Sequence, residues 1–176
     1  ARLTFRPTPW HKKHPEIVLP ERKNTMTSIY AYRKHFTPHT VIQMALPDNQ
    51  GTDDSLRCTE LCTLDDGTTY VAVPDGVMLP TQPTEIDPQP VVLGDDLVAK
   101  IKAASPHVQL IYERTEQKIR ARYSISDEAK FARIGVGAAL GVYTFGTGEQ
   151  DELLAFGSFV ESARAWGRAE RAKLGL

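Results

Sequence analysis

The sequence predicts an α+β fold: a small antiparallel β-sheet lobe in the N-terminal half, a helical C-terminal half, and an extended N-terminal arm. Up to Pro74 the apolar residues fall in short alternating runs closed by charged pairs, glycine or proline, which is the period-two pattern of strands. From Asp95 onward they recur every three or four residues behind helix-starting residues. Between these regions, residues 74–90 (PDGVMLPTQPTEIDPQP) carry five prolines in seventeen positions, a density that neither element accepts. The expected division is a basic arm at 1–25, a β-rich lobe at 26–78, a proline-rich connector at 79–93 and a helical lobe at 94–176.

In the arm, Pro7, Pro9, Pro15 and Pro20 bar a helix through most of its length. Phe5, Trp10 and the Ile17-Val18-Leu19 cluster give it apolar groups with which to dock, and Lys12 and Lys13 give it charge. Met26 reads as a start of translation, which would make the arm an extension. The runs SIYAYRK and TVIQMALP then read as short strands. In RCTELCTLDDGTTYVAV, Leu56, Cys58, Cys62 and Leu64 alternate, Asp65-Asp66-Gly67 supplies a turn, and Thr69, Val71 and Val73 return, so this stretch reads as a hairpin.

Four helices are expected beyond the connector. Gly94 and Asp95 open DLVAKIKAAS, with Leu97, Val98, Ile101 and Ala104 on one face. Ser105-Pro106 reads as an N-cap followed by proline at the first helical position. The helix it opens carries a stripe of Val108, Ile111, Thr115, Ile119 and Arg122. Ser126 is expected to cap the third helix, with Asp127 and Glu128 complementing its dipole and Gly135, Gly137 and Gly141 weakening and then ending it. Thr147 and Gln150 suggest a capping box for the last helix, where Leu153, Phe156, Phe159 or Val160, Ala163 and Trp166 recur at helical spacing.

The 176-residue length suits a single core, 41% apolar residues and a net charge of −1 describe an ordinary soluble protein, and no apolar run reaches the roughly 18 residues that cross a bilayer. No apolar segment with a small-residue cleavage site marks the N-terminus for secretion, and two cysteines make no disulfide framework, so a reducing compartment is expected. Charge is divided along the chain. Residues 1–34 carry eight Lys and Arg against two Glu, and residues 47–97 carry eleven acids against Arg57. Opposite blocks suggest self-neutralisation or head-to-tail contact between copies, and they argue against nucleic acid as the main partner.

Few chemistry-bearing groups converge along the sequence. Cysteines four apart on a strand sit roughly 13 Å apart at about 3.3 Å per residue, too far for a disulfide or a shared metal, so Cys58 and Cys62 read as buried structural thiols. Asp65 and Asp66 read as turn formers first and as an acid-base pair second. GVGAALG (135–141) resembles a phosphate loop but lies within a helix instead of between a strand and a helix. The pairs His11/His14 and His35/His39 have ligand-like spacing but no helix to align them, so solvated or interface histidines are the better reading. Arg114, Lys118, Arg120 and Arg122, interleaved with Glu113 and Glu116, read as a salt-bridged helix face. The expectation is a protein with no catalytic residue, no cofactor and no metal.

The stretches LCTLDDGTTYVAVPDGVMLPTQPTEI, RYSISDEAKFARIG and FVESARAWGRAERAKLGL resemble small proteins encoded among the tail genes of tailed bacteriophages, a likeness that covers about two thirds of the chain. The resemblance implies a non-enzymatic structural component of a phage tail: baseplate, tail tip or tail-fibre attachment. Such a component would contact other tail proteins or copies of itself, sit in the virion tail, and pass through the host cytoplasm during assembly. The alternative it leaves open is a tail-fibre assembly chaperone or adaptor absent from the mature virion. Contact residues are expected in the arm (Phe5, Trp10, Lys12, Lys13) and on the last helix (Phe156, Phe159, Trp166), with no membrane partner.

Overall fold

The computed structural model describes residues 27–48 and 56–176. The arm, with Phe5, Trp10, Lys12, Lys13, His11 and His14, lies outside the described residues. The α+β class holds: six strands precede four helices among the described residues. Strands β1 (Thr27–Arg33), β4 (Thr59–Thr63), β5 (Thr68–Pro74) and β6 (Gln89–Val91) form an antiparallel sheet in the order β4-β5-β1-β6. Strands β2 (His35–Phe36) and β3 (Val41–Ile42) make a small hairpin beside it. Its turn is fixed by Thr37, whose hydroxyl donates to the Thr40 carbonyl and accepts from the Thr40 amide.

The β4–β5 hairpin forms as its alternation predicts. Gly67 takes φ +81°, and the Asp66 carboxylate accepts the Thr68 amide at 2.9 Å, which holds that carboxyl below its ordinary range. One feature departs from strict alternation. Glu60 faces Val71 but Cys62 faces Tyr70, so Leu61 is an extra residue, a β-bulge. The bulge sends Cys58 and Cys62 to opposite faces of the sheet instead of the same one. Cys58 packs with Tyr32, Met44, Val71, Val73 and Ile86, whereas Cys62 packs with Ile29, Leu61, Tyr70, Ala72 and Ile101. Both thiols are buried, and burial pushes both pKa values up.

Both faces of the sheet are covered, which is why β5 is buried almost throughout instead of at alternate residues. Helix α1 (Asp95–Ala104) closes one face through Ile101 and Leu97, joined by Leu174 and Leu176 from the end of the chain. The other face is closed by irregular chain, and the proline-rich segment belongs to that cover. Ile86 is buried there and Leu79 packs beside it. The Gln82 side chain imitates a strand neighbour, accepting from the Ala45 amide at 2.9 Å and donating to the Ala45 carbonyl at 3.0 Å. Residues Gln89–Val91 then pair with β1 as an edge strand, where Pro90 is tolerated.

Helices α2 (Pro106–Arg120), α3 (Ile125–Ala139) and α4 (Glu149–Lys173) complete the chain. Three expected helix starts change in detail. Ser105 is the N-cap of α2, but its hydroxyl is fully buried, makes no capping bond and has no hydrogen-bond partner. Helix α3 is capped by Ser124, two residues ahead of the expected Ser126. Ser124 Oγ accepts the Asp127 amide at 3.1 Å, and the Asp127 carboxylate accepts the Ser124 amide at 2.8 Å, a reciprocal pair that satisfies two otherwise orphaned donors. Helix α4 starts at Gly148, with φ +82° and no side-chain cap, so the Thr147/Gln150 box does not form. The Glu149 carboxylate fills that place, accepting from the Gly146 amide and the Tyr143 hydroxyl, each at 2.7 Å.

Candidate protein-binding surface

Helix α2 packs mainly on α4, where Ala163 and Gly167 are buried. Its predicted stripe is turned inward, with Val108 fully buried and Ile111, Thr115 and Ile119 half-buried, except for Arg122, which lies past the end of the helix and is exposed. The seam is tightest at Gly167, where a Cβ would stand 2.6 Å from Thr115 Oγ1. Two of the three expected contact residues of α4 meet in an aromatic cluster beside this seam. Phe156 stacks on Phe131 at 4.8 Å and meets the Tyr123 ring edge-on at 5.1 Å, and Phe159 meets Tyr123 at 5.6 Å. Trp166 stands apart, with Lys118 Nζ 4.6 Å from its ring centre. All three are half-buried and spend much of their apolar surface inside the helical lobe.

Basic residues of α2 and of the turn after it divide between two roles. Arg120 bonds Glu128 of α3 at 2.8 Å and Glu116 at 3.5 Å, as a salt-bridged face predicts, and its pKa is raised chiefly by the Glu128 bond. Lys118 and Arg122 instead cover aromatic rings, Arg122 lying 4.8 Å from the Phe159 centroid. Arg120 also lines a groove of about 500 Å³ between α2 and α4 with Arg164, Arg168, Arg171 and Tyr112. Carboxylates answer much of that charge: Arg164 and Arg168 share Glu161 at 3.1 and 3.7 Å, while Arg171 lies over the Tyr112 ring at 4.7 Å.

Among the described residues, the outer face of the α3–α4 hairpin is an apolar surface left open to solvent. Helix α3 packs principally on α4, buries Phe131 and Ile134, and is tied to it by Lys130 and Glu152 at 3.5 Å. Its far side stays apolar and open: Ile125 is 69% exposed, Val136 60% and Leu140 71%, with Val142 of the following turn 80% and Leu154 of α4 62%. A shallow groove of about 570 Å³ runs between the helices, lined by Ala132, Gly135, Val136, Leu153, Gly157 and Val160 and rimmed by Glu128, Glu161 and Arg164. Val136 alone of these exposed residues lines the groove; single exposed apolar residues are ordinary, but several on one side of a helical hairpin are the mark of a contact surface.

Two glycines shape the hairpin. Gly141, φ +71°, ends α3 with the Val142 amide bonded to the Gly137 carbonyl and the Gly141 amide to Ala138, and Gly137 lets the returning chain pass, since a Cβ there would stand 2.9 Å from Tyr143 Cβ. The outward residues Val136, Leu140, Val142 and Leu154 were not among the expected contacts. The signal was available: α3 is apolar on two sides, so its second stripe cannot be buried against the same neighbour as Phe131 and Ile134. Of the histidine pairs, His35 and His39 are exposed on the β2–β3 hairpin, and among the described residues no three His, Cys, Asp or Glu are grouped to hold a metal ion. Among the described residues no helix is long and apolar enough to cross a membrane. No protein-family model, no curated protein and no solved structure matches the chain.

Proposed function

We propose that the protein is a non-enzymatic structural component of a bacteriophage tail, at the baseplate, tail tip or tail-fibre attachment, and that it works by binding other tail proteins or copies of itself. The observation that carries the reading is the apolar outer face of the α3–α4 hairpin, where Val136, Leu140, Val142 and Leu154 are each at least 60% exposed. The resemblance of the hairpin at 61–86, the 122–135 segment and the last helix to small tail-gene proteins supplies the tail context. The arm residues Phe5, Trp10, Lys12 and Lys13 are the second set of contacts in this reading, its basic charge suiting the acidic block at 47–97 of a neighbour.

Quantitative mass spectrometry of purified phage particles tests the proposal. A fixed copy number of this chain relative to the other tail proteins is the expected result. Detection in the producing cell with absence from particles would overturn it and point to an assembly chaperone or adaptor.

A further inference from the structure

We draw no further inference here: the strongest candidate, the apolar outer face of the α3–α4 hairpin with its shallow groove along Gly135, Val136 and Gly157, carries none because nothing in the structure shows what covers it.

Discussion

Gly167 is where two helices approach too closely for any other residue. Thr115 Oγ1, which a Cβ at 167 would meet at 2.6 Å, is itself fixed by a 2.7 Å bond to the Ile111 carbonyl, and a β-branched side chain has few rotamers into which to retreat. Replacing Gly167 by alanine gains helix propensity of about 1 kcal/mol and meets an overpacking cost of about 1–3 kcal/mol. The variant should therefore be less stable than wild type by up to about 2 kcal/mol in urea unfolding. In a Thr115→Ala background the clash disappears, and the same Gly167→Ala change should stabilise by about 1 kcal/mol. A loss of equal size in both backgrounds would show that Thr115 is not what holds position 167 to glycine. The sequence places Thr115 on the stripe facing the core, yet nothing in it marks Gly167 apart from Gly157, which lies on the same helix with open space beside it. The cysteines teach the same lesson: both are buried as their type predicts, but one extra residue at Leu61 puts them in separate clusters.

At the scale of elements, the ends of α3 and α4 depend on two carboxylates. Asp127 lies below the ordinary 3.8 because Ser124 donates to it from side chain and backbone, and Glu149 lies below the ordinary 4.5 because Tyr143 and then the Gly146 amide donate to it. A carboxyl whose folded pKa is depressed contributes stability that is full above its unfolded pKa and is lost as pH falls through the folded one. Thermal melts of the wild type should therefore lose stability from about pH 4.5 downward. Glu149→Gln, which can still accept a hydrogen bond but does not titrate, should be less stable than wild type at neutral pH and converge on it in acid. Parallel curves across that range would remove Glu149 from the account. Element existence was legible here from periodicity, whereas the caps were not. Ser124 and Ser126 both precede acids, and only the reciprocal geometry with Asp127 selects the first. Thr147 and Gln150 fit the capping-box spacing, yet Glu149 reaches back to the Gly146 amide and Gly148 turns with positive φ.

The whole molecule is joined at a place the sequence hides. Proline density at 79–93 reads as a connector between two lobes, but local composition is the same whether extended chain spans a gap or lies on a sheet, and here Leu79 and Ile86 pack on the sheet while Gln82 bonds Ala45 of the irregular chain beside it. The helical and sheet regions share one core: Ile101 of α1 is fully buried among sheet residues, and Leu174 and Leu176 return to pack on the same cluster. A Schellman turn aims them, with the Leu176 amide on the Arg171 carbonyl, the Gly175 amide on Ala172, and Gly175 at φ +75°. Thr27 Oγ1 of β1 donates to the Lys173 carbonyl at 3.0 Å, and a Cβ on Gly175 would stand 3.1 Å from Ile29 Cδ1, so the last turn of α4 is pressed against β1. Regions that share a core should unfold together, so calorimetry should give one transition whose van't Hoff and measured enthalpies agree. Leu174→Ala with Leu176→Ala removes apolar contact from two half-buried positions, at a combined cost of about 2–4 kcal/mol. Because the loss falls at the joint and leaves both interiors intact, the double variant should broaden the transition or split it, with the helical region melting apart from the sheet. Two resolved transitions already present in the wild type would mean that the shared cluster does not couple the regions, and that the proline-rich segment separates them after all.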